Sequence, residues 1–558
     1  MAWYDEAIFY HIYPLGLTGA PKLNDYGETV HRLPKLIPWI SHIKDLGCNA
    51  IYIGPLFESV GHGYETTDYK RLDSRLGDND DLKSFVAECH KASLRVVFDG
   101  VFNHTGRDFF AFQDIKQNRE NSPYKDWYCN VNFWGNNQYG DGFSYTNWGG
   151  YDLLAKLNQH NPSVREYICD VIRYWVREFD VDGIRLDAAD VMDFGYMQEI
   201  RKVANEVKED FWLMGEVIHG DYTRWANDST LHSVTNYTLH KALYSGHNDH
   251  NYFEIAHTIK FLYDRGCERL KLYNFVDNHD VERINTKLRN KEHFLPTHIL
   301  LYTLPGIPSI YYGSEFAIDG SKQRGSDDSL RPALDLEAMK KNGGKYTKLI
   351  SALGRIRKEA KALAYGTYKE LLLTTKQYAF ERCYGDQRVV VCVNNGDEGC
   401  EMKLGASGFT TYMGALTGRK VKTANGTLAV SIPANSGEIW ISCDANARPT
   451  EPAIEITPEP PKPAPITAPK PAPAAVPAPA PAVKTVGTVP VVKPAEKKEV
   501  GDAPIPRNKF YEEMTVEELQ SVIIEKMRKN GPVTDYMKRT VAENTHHGSL
   551  VNWAKSFQ

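Results

Sequence analysis

Eight short apolar runs, each separated from the next by a segment of different character, occupy roughly the first two thirds of this 558-residue chain and restrict its fold more than any other feature. They are AIFYHIYP, NAIYIGPL, LRVVFDGVFNH, VDGIRLDAAD, FWLMGEV, a weak SVTNYTL, RLKLYNFVDNHD and GIPSIYYGSEF. Between them lie helical patterns such as VREYICDVIRYWVREF and YMQEIRKVANEVKE. Strands covered on both faces read as continuous apolar runs, and these mostly do. Eight β–α repeats predict a closed (β/α)8 TIM barrel over residues 1–360. An open doubly wound sheet fits the same alternation and is the competing topology. A hydrophobic content of 42% supplies ample core for either.

One connection is too long for a simple loop. From about 104 to 162 the chain is rich in Asn, Gly, Trp and Tyr, which predicts a small excursion domain after the third strand. Its Trp127, Trp134, Tyr139 and Trp148 suit either stacking on sugar faces or a mini-core of the excursion itself. Short strands with Asn-Gly and Ser-Gly turns follow over 361–444 and predict an all-β sandwich domain. Residues 445–506 hold more than half of the 30 prolines. PAPAAVPAPAPAV cannot build a core and reads as a disordered Pro/Ala-rich linker. Residues 507–558 read as a small helical module. Thr515 and Glu518 make a capping box, and Val516, Leu519, Ile523 and Met527 repeat at helical spacing until Asn530-Gly531-Pro532.

A net charge of -5 offers no broad basic surface, so nucleic acid is not an expected partner. The nine cysteines are scattered singly and form no CxxC pair, which predicts reduced thiols in a cytoplasmic protein. The N-terminal MAWYDEAIFYHIYP reads as a first strand, not a signal segment. No stretch is apolar for long enough to span a membrane.

Acids gather at the predicted strand ends: Asp99 at the third, Asp187 at the fourth, Glu216 at the fifth and Asp280 at the seventh. In a parallel barrel these ends open on one mouth. Each acid alone fits a helix cap or an ordinary ion pair. Four at one mouth indicate chemistry. Arg185 and Asp187 share one face of their strand, since alternate residues do, and the cation is expected to keep the carboxylate ionised as a nucleophile requires.

These residues carry a resemblance to the α-amylase family of retaining glycoside hydrolases. DGVFNH, GIRLDAAD, GEV and FVDNHD resemble its four short sequence regions, in order. LAKLNQHNPSV resembles the fifth region as found in neopullulanase and cyclomaltodextrinase relatives. His62 to Tyr64, HGY, is similar to the stretch that holds the first sugar ring. The resemblance spans about residues 1–445. It implies Asp187 as nucleophile, Glu216 as general acid/base and Asp280 as transition-state stabiliser. It further implies Arg185 as the residue holding the nucleophile, with Asp99 beside it among the substrate-binding positions. His104 and His279 are implied as hydroxyl-binding residues, Tyr64 as a stacking platform, and Asp327 with Arg331 as an acid–arginine pair for a further sugar. Asp187 and Asp280 are expected to raise the pKa of the acid/base, the pattern retaining chemistry needs.

The chain departs from the family in places. Many amylases carry a Lys-His pair three and four residues after the nucleophile; here Ala188, Ala189, Asp190 and Val191 follow. Asn103 resembles a common calcium ligand without evident partner ligands, and Ala155 stands where relatives often carry Pro. The expected activity is hydrolysis of α-1,4-glucosidic bonds in starch-derived glucans, maltooligosaccharides or cyclodextrins. A 4-α-glucanotransferase would use the same intermediate, and a non-catalytic amylase-like barrel would lack the carboxylates. No cofactor is required, calcium lacks a complete motif, no metal ligand set is assigned, and no membrane is expected. The helical module is the candidate site for a protein partner or self-association.

Overall fold

In the computed structural model, which describes residues 2–323, 326–342, 344–454, 514–530, 541 and 554, the eight expected runs form eight parallel strands around one axis. They are β1 (Phe9–Ile12), β2 (Ala50–Ile53), β3 (Arg95–Gly100), β4 (Gly183–Leu186), β5 (Trp212–Gly215), β6 (Ser233–Val234), β7 (Tyr273–Phe275) and β8 (Ile307–Tyr311). The hydrogen-bonded order is β6-β5-β4-β3-β2-β1-β8-β7. A parallel bridge between Thr235 and Tyr273 joins β6 to β7, so the sheet closes into a barrel. The open doubly wound alternative is thereby excluded.

Strand alternation sorts the apolar residues. Phe9, Ala50, Tyr52, Val97, Trp212, Met214, Tyr273 and Phe275 form one buried cluster within the ring, with Trp212 stacked on Phe9 at 4.9 Å. Ile8, Tyr10, Ile51, Ile53, Val96, Phe98, Ile184 and Leu213 belong to the larger core that includes the surrounding helices. The helix Pro162–Phe179 shows how local signals set an element. Pro162 lacks an N–H where none is needed, and the Asn161 side chain accepts from the Ser163 amide at 2.9 Å. Val164, Ile168, Val171, Ile172, Trp175 and Phe179 make its buried stripe, and Asp180 ends it in a left-handed conformation.

The excursion after β3 begins at once. His104 and Thr105 pair antiparallel with Lys156 and Ala155, so the start of the excursion is stitched to its end. Its aromatic residues differ in their surroundings. Trp127 is buried, Trp134 is 98% exposed, and Tyr139 lies under the Arg107 guanidinium at 3.6 Å.

From Thr367 the chain forms a six-stranded antiparallel sheet and a two-stranded one, Cys400–Gly405 with Thr427–Ile432. Ala379, Val390, Cys392 and Trp440 from the large sheet meet Met402, Leu404, Leu428 and Val430 from the small one, which makes the sandwich core. The opposite face of the large sheet, through Tyr378, Phe380, Val391 and Ile439, joins the core of the barrel helices. The strands Cys400–Gly405, Thr411–Gly414 and Lys420–Lys422 are additional to the sequence reading, because their apolar residues are too sparse to stand out.

Chain read as linker remains packed for some distance. The Ala453 amide donates to Leu416 O at 2.9 Å, and Ala453 and Ile454 lie against the core. The rest of the expected linker, and most of the module including Gly531, Pro532 and the Met527 side chain, lie outside the described residues. Residues 463–558 form a separate unit. In it the helix Val516–Asn530 starts at a reciprocal box, with the Thr515 amide donating to Glu518 at 2.7 Å and the Glu518 amide to Thr515 at 3.3 Å. Six consecutive residues, Leu519 to Ile524, are buried.

Histidines are buried where the barrel meets the sandwich. His293 and His250 both face the Asn395 carbonyl, and His247 and His298 are fully enclosed. Burial lowers His247 to about 3 and His298 to about 4, from an ordinary 6.5. A base whose folded pKa is depressed stabilises the fold above its unfolded pKa, and that contribution is lost as pH falls below it. By pH 5 each such histidine costs about 2 kcal/mol. The melting temperature is therefore expected to fall by about 5 °C or more between pH 7.5 and pH 5. Differential scanning calorimetry that gave the same value at both would contradict this.

Candidate active site

Register brings the site together. Asp99 on β3 pairs with Arg185 on β4, and Leu186 on β4 pairs with Gly215 on β5. One step further along these strands, Asp187 donates its amide to Gly100 O at 3.1 Å and Glu216 donates its own to Leu186 O at 2.9 Å. Asp99, Arg185, Asp187 and Glu216 therefore stand side by side at one end of the barrel.

The Arg185 guanidinium, 3% exposed, touches all three acids. Its Nη1 lies 2.8 Å from both Asp99 Oδ1 and Asp187 Oδ1, and its Nη2 lies 3.0 Å from Glu216 Oε2. Glu216 Oε2 also accepts the Ala188 amide at 3.0 Å, with Ala188 held in the left-handed region at φ 48. Two donors converge on one oxygen of Glu216. Asp99 Oδ2 accepts from Tyr52 at 2.8 Å and from Tyr64 at 3.1 Å.

Electrostatics differ from the sequence expectation at Asp187. Burial pushes its carboxyl well above the usual carboxylate range, and Glu216, Asp99 and Asp280 add to that. Arg185 pulls it down but does not win, because the one cation is shared among three acids. Asp280 behaves oppositely. Desolvation raises it, but His279, Arg331 and Arg185 outweigh that and hold it well below the carboxylate range.

Asp280 follows β7. His279 Nε2 lies 3.0 Å from its Oδ2, and Arg331 Nη2 lies 2.9 Å from its Oδ1. Arg331 also donates to His279 O at 3.0 Å and reaches Asp327 Oδ2 at 3.4 Å. The expected acid–arginine pair is present, with Arg331 closer to Asp280 than to Asp327. The imidazole of His279 is stacked between Tyr64 at 5.7 Å and Tyr13 at 5.9 Å, and its Nε2 meets the Tyr64 hydroxyl. His104 is buried, with Nε2 at 3.1 Å from Tyr64 O, and burial lowers it to about 3, which makes it a neutral imidazole. All ten residues singled out in the sequence thus belong to one connected neighbourhood.

Tyr52, Tyr13 and the Ala188 amide were not singled out. Tyr13 and Tyr52 are aromatic residues at or just past the ends of β1 and β2, where they read as ordinary strand residues. Their position at the mouth is the signal that could have found them. The Ala188 amide has no sequence signal, since it depends on backbone conformation.

The surroundings of Asn103 do not fit a bound calcium ion. Its Oδ1 accepts from Gln159 Nε2 at 3.0 Å, while Gln159 Oε1 takes the Asp193 amide at 2.6 Å. Asp193 is further engaged by Arg165 at 2.9 Å. Calcium needs several oxygens aimed at one point. Here an amide N–H points at the one expected oxygen.

Known proteins share this sequence and fold. Residues 32–355 match the alpha amylase catalytic domain, and residues 366–440 the alpha-amylase C-terminal domain. A cyclomaltodextrinase of Thermoanaerobacter pseudethanolicus is 32% identical over 422 residues, 71% of each chain. Neopullulanase 2 of Thermoactinomyces vulgaris is 30% identical over 470 residues, 78% of each. A solved cyclomaltodextrinase structure superposes with a TM-score of 0.70 at 28% identity, covering 79% of this chain and 78% of its own. With its barrel, its sandwich domain and its carboxylate-bearing strand ends, this chain belongs to the α-amylase family of glycoside hydrolases.

Proposed function

We propose that the protein hydrolyses α-1,4-glucosidic bonds of starch-derived glucans, maltooligosaccharides or cyclodextrins with retention of anomeric configuration. The observation that carries this reading is the bridging of Asp187 and Glu216 by one guanidinium. A single Arg185 spans only closely spaced carboxyls, as retaining enzymes require. An Asp187 oxygen attacks the anomeric carbon as the bond to the leaving oxygen breaks. The electron pair goes to the leaving oxygen, which takes its proton from Glu216. Water, deprotonated by Glu216, then attacks the same carbon and frees Asp187. Asp280, held anionic by His279 and Arg331, faces the positive charge that develops on the sugar. Tyr64, His104 and His279 hold the ring at the cleavage point, and Asp327 contacts the next sugar. Arg331 is shared between that sugar and Asp280. The printed names of the relatives support the glucan class of substrate.

Asp187→Asn is expected to lower turnover on maltooligosaccharides by more than about a thousandfold while leaving the fold intact, because no other nucleophile stands at the anomeric carbon. A variant retaining a tenth of the activity would refute the assignment. Proton NMR of the first product is expected to show the α-anomer, and an initial β-anomer would exclude retention.

Calcium has no role in this reading, which the Asn103–Gln159 hydrogen bond supports. Activity and melting temperature are expected to change little in EDTA. A large loss that calcium alone restores would overturn this.

The nine free thiols support a cytoplasmic setting, and no described helix is long and apolar enough to cross a membrane. The helical module serves attachment to a protein partner or to a second copy. A chain ending after Ile454 is expected to keep its turnover number on maltotriose and to lose any self-association seen by light scattering. A severalfold fall in turnover would tie the module to catalysis.

A further inference from the structure

Arg331 has two acids within reach and favours one of them. Its Nη2 lies 2.9 Å from Asp280 Oδ1 and 3.4 Å from Asp327 Oδ2, although Asp327 is its near neighbour in the chain. What turns the guanidinium toward Asp280 lies behind it, at the end of β1. Tyr13, 4% exposed, sits against the guanidinium, with Arg331 Cζ 4.7 Å from the centre of its ring. An aromatic face attracts a cation, and more strongly where water is excluded. Arg331 Nη1 also donates to the Tyr13 hydroxyl at 3.5 Å, and that hydroxyl donates to His62 O at 2.5 Å.

The main chain of the same arginine is pressed from the same side. A Cβ on Gly16, in the short helix Pro14–Leu17, would stand 2.3 Å from Arg331 O and 3.0 Å from Tyr13 Cδ1. Glycine at this position is what allows the two backbones to lie so close. The segment after β1 therefore holds Arg331 twice, by a ring at its head and by a glycine at its carbonyl.

The Tyr13 ring also serves the second partner of Asp280. It stacks on the His279 imidazole at 5.9 Å, with the two planes 16° apart. His279 Nε2 lies 3.0 Å from Asp280 Oδ2, and Arg331 Nε donates to His279 O at 3.0 Å. Both oxygens of Asp280 thus meet cationic or donor groups that rest on one phenol ring.

We propose that Tyr13 is a positioning residue for the reaction, fixing Arg331 and His279 on the two oxygens of Asp280 and keeping Arg331 from turning to Asp327. This rests on the reading of Asp280 as the anion that faces the developing positive charge. The test compares Tyr13→Leu, which removes the ring, with Tyr13→Phe, which keeps the ring and loses only the hydroxyl, on maltotriose. Tyr13→Leu is expected to lower kcat about tenfold with KM within about twofold, because the interaction it weakens is made in the transition state. Inhibition by the cationic iminosugar 1-deoxynojirimycin, whose charge reports on Asp280, is expected to weaken by a similar factor. Tyr13→Phe is expected to stay within about threefold of wild type in both respects, because the stacking and the cation–ring contact remain. In an Asp327→Ala background, where Arg331 has no second acid to turn to, Tyr13→Leu is expected to cost severalfold less, a coupling that a merely structural residue would not show. A folded Tyr13→Leu enzyme with wild-type kcat, a Phe variant as impaired as the Leu variant, or strictly additive losses with Asp327→Ala would each overturn the proposal. Asp280→Asn separates this from the reading beneath it: full turnover in that variant would remove the role of Asp280 itself. Should Tyr13→Leu fail to fold, Gly16→Ala, which displaces the Arg331 main chain and leaves the ring in place, is expected to lower kcat with the same coupling to Asp327→Ala, and wild-type kcat in folded Gly16→Ala would overturn the proposal.

Discussion

A single buried guanidinium organises the mouth of this barrel. Arg185 meets Asp99, Asp187 and Glu216 at hydrogen-bond distance, and so small a space cannot hold three bare carboxylates against one cation. The imbalance is relieved in part. Tyr52 and Tyr64 donate to Asp99, and the crowding that remains shows at Asp187, whose carboxyl burial and its acidic neighbours push above the usual carboxylate range. Asp280, served by a second arginine and a histidine, stays anionic. Acids of one chemical type are thereby shifted in opposite directions, Asp187 up and Asp280 down, by their different neighbours.

The barrel was legible because most of its strands are continuously apolar and alternate with helix-forming segments. The acids were legible because they end those strands. Parallel registration then delivers Asp99, Arg185, Asp187 and Glu216 to one level with no further information. The sandwich was only partly legible. Strands such as Lys420–Lys422, with one apolar residue among three, are made by pairing with a neighbour and not by composition.

What the sequence could not convey is competition. Arg185 beside Asp187 suggested a carboxylate held ionised, and pairwise that is right. What the pair does not reveal is that the same cation also serves Asp99 and Glu216 and that burial opposes it, a fact of three dimensions. Likewise Arg331, four residues from Asp327, looked like half of a local pair, yet it lies nearer Asp280. Tyr13 and Tyr52 were overlooked for the opposite reason. As strand-end aromatics they needed no explanation, and only the ring arrangement reveals that Tyr13 backs His279 and Tyr52 bonds Asp99.

The closure of the barrel between β6 and β7 is slender: β6 is only two residues long, and a parallel bridge at Thr235–Tyr273 is supplemented by side-chain bonds from Ser233 to Lys271 O and from Asn236 to Asn274. That seam runs between the strand bearing Glu216 and the strand that leads to Asp280. The barrel is in effect a clasped cuff, not a seamless tube. The spacing between Glu216 and Asp280 is therefore set across the place where the wall has the shortest strand.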